Sequence, residues 1–318
     1  GDPGDGDPGD GDGDSGDGDP GDGDGDPGDG DGDPGDGDGD PGDGDGDPDP
    51  NCGAPSDHIT CDAPGDDPTL FQALGLDCPG DATNSTPTTA SSITANDDQS
   101  WRIAEQYGTS GDWVATEGDQ IVVLTTGRLP APNNQGVIST NNGSTANGNP
   151  DGQNMPGPMS PAMGGNPAFM NCDGNNDCSN TLEAQWDLGQ GEANDLLWFD
   201  FSVDVPAGTT GWVIDFVYFS NEFPEFVDSS FNDIFVIWES TEDYTGNMCF
   251  VDGEPCTVTG LAAVADAVNP NEGADASLAG TGTQGAGSNG GQTTGLYSIE
   301  GPADPLAELT LTFALFDM

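Results

Sequence analysis

The sequence predicts an all-β fold: an antiparallel two-sheet β-sandwich or jelly roll with long Gly/Asn-rich loops, preceded by a disordered acidic tail. Three observations carry this. Apolar side chains alternate with period two over several segments, helical spacing is scarce, and Gly, Asn and Pro punctuate the apolar runs.

The tail comes first. Residues 1–50 contain 21 Asp, 20 Gly, eight Pro and one Ser, and nothing else. From Pro20 the prolines recur at Pro27, Pro34, Pro41 and Pro48, so the unit is P-G-D-G-D-G-D. Collagen needs Gly at every third position, which this alternation breaks. With no apolar side chain to bury, the segment cannot offset its conformational entropy and is predicted to be a disordered spacer. Its aspartates lie within the Debye length of about 8 Å and repel, which extends the chain. As a Gly-rich coil it would span about 40 Å. The Asp-x-Asp spacing also supplies oxygen ligands, but without fixed loop geometry loose counterion condensation is the plainer reading.

Charge excludes several functions. The 318 residues carry 59 acids against two arginines, Arg102 and Arg128, and no lysine, for a net charge of −57. Removing the tail's 21 aspartates leaves 57 − 21 = 36 negative charges on the other 268 residues. Nucleic-acid binding lacks its cations, a P-loop or Schiff base lacks its lysine, and no run of apolar residues is long enough for a transmembrane helix. No direct membrane insertion and no nucleic acid partner are expected.

Residues 51–80 read as a Cys-containing connector and residues 81–318 as the sandwich domain. Seven cysteines are present: Cys52, Cys61, Cys78, Cys172, Cys178, Cys249 and Cys256. No C-x2-C pair exists and the sole histidine is His58, so zinc is poorly served. The close pairs Cys172/Cys178 and Cys249/Cys256 suit local disulfides, with Cys52, Cys61 and Cys78 sharing a third. Disulfides imply an oxidising compartment and hence export. The chain opens inside a repeat and closes on an alternating segment, so a secretion signal upstream and further strand or anchor downstream are expected.

Leu197–Val205 alternates Leu197, Phe199, Phe201, Val203 and Val205 with Asp200, Ser202 and Asp204, which predicts a half-buried antiparallel strand. Pro206-Ala-Gly208 turns the chain into a strand over Trp212–Ser220. Ile234–Trp238 is apolar on both faces, as in a central strand. Ile121–Leu124, Cys249–Val251 and Leu306–Phe316 add more. Thr69–Leu74 and Leu261–Val268 are the best helical candidates, and residues 130–168 and 269–293 read as loops.

The segment Phe216-Val-Tyr-Phe-Ser-Asn-Glu-Phe-Pro-Glu-Phe-Val-Asp-Ser-Ser-Phe-Asn-Asp-Ile-Phe235 resembles the signature of the choice-of-anchor L domain family. Ile121-Val-Val-Leu-Thr-Thr-Gly127 looks like an upstream element of that family. Leu74–Gly80, Ser100–Arg102, Gly127–Pro132, Phe169–Gly174 and Tyr244–Cys249 are similar to the versions in myxobacterial surface proteins. The resemblance spans residues 66–318 and implies an exported or surface-anchored bacterial domain. It supplies no reaction, and Asn221 stands where the family often has an acid.

Within that motif Glu222, Glu225, Asp228, Asn232 and Asp233 place five oxygen-bearing side chains in twelve residues between apolar strands. Carboxylates so close repel unless a cation or protons compensate. Calcium, hard and tolerant of irregular loops, suits the set. Phe223, Phe226, Val227 and Phe231 are expected to tuck beneath the turn, and the competing expectation is a solvated acidic loop whose Asn232 and Asp233 only cap a turn. Asp173-Gly-Asn-Asn-Asp177, between Cys172 and Cys178, begins like a calcium loop. It lacks the Gly and distal Glu of an EF-hand, so a disulfide-closed turn is the simpler reading.

Catalytic patterns are thin. His58 sits outside the predicted sandwich, no G-x-S-x-G occurs, and Glu222 with Glu225 share one turn rather than facing across a cleft. Trp198, Trp212 and Trp238 fit a core as well as a sugar-binding face, and the sequons at Asn84 and Asn142 mark surface loops. The expectation is an exported, surface-displayed, non-enzymatic module with a structural or adhesive role, calcium-stabilised. Its partner would be a cell-surface or extracellular-matrix component such as a polysaccharide. The alternative is a carbohydrate-binding or glycoside-cleaving module.

Overall fold

The longest alternating runs in the sequence become the longest strands. The computed structural model describes residues 69–78, 86–95, 97–116, 118–140, 155–156, 159, 182–188, 193–242, 244–264, 266–268, 276–283 and 291–318. In chain order its strands are β1 Thr88–Ala95, β2 Trp101–Ala104, β3 Gln106–Tyr107, β4 Trp113–Val114, β5 Ile121–Leu124, β6 Val137–Ile138, β7 Asn194–Asp204, β8 Gly211–Phe216 and β9 Phe219–Ser220. They continue with β10 Ile234–Ser240, β11 Thr245–Asn247, β12 Phe250–Val251, β13 Glu254–Pro255, β14 Asp266–Val268, β15 Gly291–Thr293, β16 Tyr297–Pro302 and β17 Glu308–Asp317. The α-helices are short: α1 Leu70–Ala73, α2 Glu183–Leu188 and α3 Val258–Leu261. The fold is mostly β, as the periodicity predicts, and none of the described helices is long and apolar enough to cross a membrane.

A five-stranded antiparallel sheet, ordered β1-β7-β17-β10-β11, organises the molecule. The odd-numbered positions of β7, β10 and β17 face the main core. Phe199 pairs with Phe313 across β7 and β17, and their rings stack with centroids 4.6 Å apart. Phe71 of α1 meets Phe199 and Phe201 edge-on at 6.4 and 6.3 Å. Each such buried aromatic contributes about 1.5–3 kcal/mol. Opposite this face lie the antiparallel ribbons β8–β16 and β2–β5, which bring Trp212, Ile214, Ile299, Val122 and Leu124 to the same core. The second layer of the sandwich is thus a set of short ribbons, as a chain interrupted by Gly and Pro dictates.

The reverse face of the central sheet is covered as well. Leu196, Ile234, Val236, Trp238 and Phe316 pack with Met159 and Leu182, and Trp186 of α2 meets Phe316 edge-on at 5.9 Å. This explains why β10 is apolar on both faces. It also changes the expectation for β7, which is more than half-buried. Ser202 is buried and shares a 2.7 Å hydroxyl contact with Thr310, Asp200 is half-buried, and within the strand Asp204 alone is exposed.

Several boundaries differ from the sequence expectations, and β6 and β15 fall inside the segments 130–168 and 269–293 expected as loops. The predicted strand Trp212–Ser220 breaks at Val217–Tyr218, because β8 pairs with β16 while β9 pairs with β15. The helix expected over Leu261–Val268 instead ends at Leu261, where Thr257 caps its start by accepting from Gly260 N–H. Asp266–Val268 then pairs with β15, so tertiary pairing overrides the Ala-rich local preference. In α1, Thr69 and Gln72 form a reciprocal capping box, and Leu70 and Phe71 enter the main core. Packing therefore begins inside the segment read as connector.

Cys249 and Cys256 form a disulfide, both sulfurs buried in the main core, and Cys78 is also disulfide-bonded. The tail 1–50, Cys52, His58, Cys61, Asn84, Asn142, Cys172, Cys178 and the Asp173–Asp177 cluster lie outside the described residues.

Candidate functional site

After β9 the chain turns because Ser220 Oγ accepts the Glu222 N–H at 3.0 Å, and the Glu222 carbonyl accepts Phe226 N–H at 2.9 Å. The turn returns to β10 with Asp233 immediately before its first residue. Antiparallel register pairs Ile234 with Phe316, so Asp233 falls beside Asp317 at the end of β17. Glu222, from the turn, reaches the same place. One carboxylate oxygen from each of Glu222, Asp233 and Asp317 lies within 4.8 Å of the others.

Burial and crowding act together here. Asp233 is held well above the ordinary carboxylate range, first by desolvation, then by the charges of Glu222 and Asp317, a hydrogen bond with Asp317, and the charge of Asp195. Glu222 is pushed up to about 7 by burial and by Asp317, against a backbone hydrogen bond from Asp233. Tyr218, whose hydroxyl donates to the Asp233 carbonyl at 3.3 Å, is raised by burial and by the three carboxylates. Asp233 as a residue keeps some surface, yet its Oδ1 is closed off from solvent without a hydrogen-bond partner, and so is Glu222 Oε2. Arg128 is paired with Asp97, and Arg102 donates to the Trp101 carbonyl, so both guanidiniums are engaged elsewhere. Such a group can hold shared protons or a cation. Its all-oxygen donors match a hard ion rather than zinc.

The five loop residues read from the sequence divide. Glu222 and Asp233 converge. Glu225 and Asp228 are exposed on the outside of the turn. Asn232 is fully buried but already bonded: its amide donates to Gln185 Oε1 at 3.0 Å and its Oδ1 accepts Thr259 N–H at 3.0 Å. It ties α2, the turn and α3 together. Phe231, expected beneath the turn, is 52% exposed and packs edge-on against Phe226 at 5.2 Å. The sequence pattern does not single out Asp317 as a site residue. Its only sequence signal is its place at the end of an alternating strand, which becomes informative once β17 is set against β10.

The three carboxylates line a cleft of about 1770 Å³ between the central sheet and the facing ribbons, shared with Trp113, Trp212 and Phe219. A further buried carboxyl, Glu239, accepts Trp212 Nε1–H at 2.6 Å on Oε2 and joins the two layers. Trp212 lies flat on its cross-strand partner Gly301, where an added Cβ would fall 2.3 Å from the indole. Neither a protein-family model, nor a curated protein, nor a solved structure matches this chain. The resemblance to choice-of-anchor L domains therefore stands on the quoted motifs alone.

Proposed function

We propose that this chain is an exported, surface-displayed β-sandwich module without enzymatic activity, structural or adhesive in role and stabilised by calcium. The observation that carries the reading is the buried Cys249–Cys256 disulfide, since disulfides persist in oxidising compartments. The acidic repeat supplies a spacer, the Phe216–Phe235 motif supplies the family resemblance, and the acidic turn supplies oxygen ligands for calcium. The partner would be a cell-surface or matrix component such as a polysaccharide. Antibody against the repeat should label intact cells of the source organism; signal only after permeabilisation overturns display. Lysine-directed surface reagents are unsuitable, because the chain has no lysine.

One observation favours a carbohydrate-active second reading. Glu222, pushed up to about 7, lies beside Asp317 from a different element in a cleft that Trp212 also lines, so this acid pair does not share one turn. Purified protein should release no reducing sugar from bacterial polysaccharides. Turnover abolished in Glu222→Gln with unchanged melting would establish the enzyme instead.

A further inference from the structure

We propose that Glu222, Asp233 and Asp317 form a calcium site that fastens the turn after β9 to the adjoining ends of β10 and β17. The inference rests on the calcium part of the preceding reading and relocates it, from a five-residue loop to a three-element centre. Geometry comes first. Calcium binds oxygens at about 2.3–2.6 Å, so two ligands of one ion stand at most about 4.6–5.2 Å apart. Three carboxylate oxygens mutually within 4.8 Å fall inside that pairwise range.

The second observation is independent of the clustering. Asp233 Oδ1 and Glu222 Oε2 are shut off from solvent and accept no hydrogen bond from the protein. Buried polar atoms are almost always partnered, so closed-off, unbonded oxygens on two of three neighbouring carboxylates point to a ligand at that place. Other titratable groups facing the centre add no positive charge. Asp195 from β7 raises Asp233 further, and Tyr218 reaches Asp233 through its hydroxyl. The remaining coordination positions of calcium would be filled by water from the cleft that the three carboxylates line. Magnesium, which demands near-ideal octahedral geometry and keeps its waters, fits a ready-made carboxylate triangle less well.

The site links distant parts of the chain. Asp233 and Asp317 are 84 residues apart in sequence (317 − 233), yet one register step past the Ile234–Phe316 pair brings them together. A cation there closes the end of the central sheet and holds the turn down on it. Asp317 is the discriminating residue, because a loop-only site would not use it.

The test is thermal unfolding of the full chain after chelation, with calcium added back at constant ionic strength. At ten times its dissociation constant calcium should raise the parent's melting temperature by about 3–6 °C, and magnesium by less. Asp317→Asn and Glu222→Gln should lose the shift, whereas Glu225→Gln and Asp228→Asn keep it. Terbium emission sensitised through Tyr218 gives a second readout, which Asp317→Asn should abolish even if removing repulsion makes that variant more stable. A parent shift retained in Asp317→Asn but lost in Glu225→Gln overturns the three-element site and leaves the calcium reading standing. No parent response to calcium in either assay overturns both, while surface display is decided separately by antibody labelling.

Discussion

Replacing both Cys249 and Cys256 by Ala tests the disulfide on which the export reading rests. The two cysteines flank a hairpin in which Phe250 pairs with Pro255 and Val251 with Glu254. Asp252 and Gly253 join the strands with φ of 51° and 86°, the left-handed pair of a type I′ turn. The Cα atoms of the cysteines stand 5.7 Å apart, seven residues apart in sequence, so the bridge closes an eight-residue loop. Chain entropy assigns such a loop about 2.5 kcal/mol, and the voids left by two buried sulfurs add about 1 kcal/mol. The sum, about 3.5 kcal/mol, lowers the melting temperature by about 7–14 °C in a domain of this size. Any hairpin persisting in the unfolded chain moves the result toward the lower figure, because part of the loop closure is then already made. The assay is calorimetry of parent and double variant at fixed calcium. Reduction of the parent is the poorer comparison, since Cys78 is disulfide-bonded too. A double variant melting within about 1 °C of the parent, or alkylation of Cys249 and Cys256 in unreduced protein, refutes the reasoning.

Three further outcomes are expected. Burial raises the Glu239 carboxyl against the lowering effect of the Trp212 bond, so the folded state retains a proton that the unfolded state releases. That contribution is full below the unfolded value of about 4.3 and is lost as pH rises through the folded one, so Glu239→Gln should gain on the parent as pH climbs from 4 to 8. A pH-independent difference between the two denaturation midpoints would contradict this. Gly301→Ala should cost about 1–3 kcal/mol by urea unfolding, because the new methyl collides with the Trp212 ring, and Trp212→Ala should relieve most of that collision in the double variant. Asn232→Ala should cost about 2–3 kcal/mol by orphaning the Thr259 N–H, yet leave the calcium-dependent shift in melting intact; loss of the shift would restore Asn232 as a ligand.

Alternation made the central sheet legible. Leu197–Val205 and Leu309–Leu315 carry their period in apolar side chains and became β7 and β17, while the continuous apolar run Ile234–Trp238 became β10. Strand β1 was not legible, because Thr88–Ala95 is mostly exposed and its Thr, Ser and Ala residues show no apolar alternation. Neither was the second core, which required knowing that α2 and Met159 cover the even positions of the sheet. At the candidate site the local half was readable: Glu222 and Asp233 stand out as acids between apolar strands. Which acids of the turn point inward was not, because Glu225 and Asp228 share composition with Glu222 but face solvent. Asp317 enters through strand register, a pairing that no local pattern encodes.

The position of β17 has a consequence for the order of events in biogenesis. A ribosome releases this chain from its N-terminal end, so β1, β7 and β10 emerge while the slot between β7 and β10 is still vacant. That slot is filled only when residues 308–317 arrive, with partners such as Val203 for Leu309, about a hundred residues behind. Pairings this distant form slowly. The main sheet therefore closes late: its β1-β7 and β10-β11 halves stay unjoined until synthesis has passed residue 317.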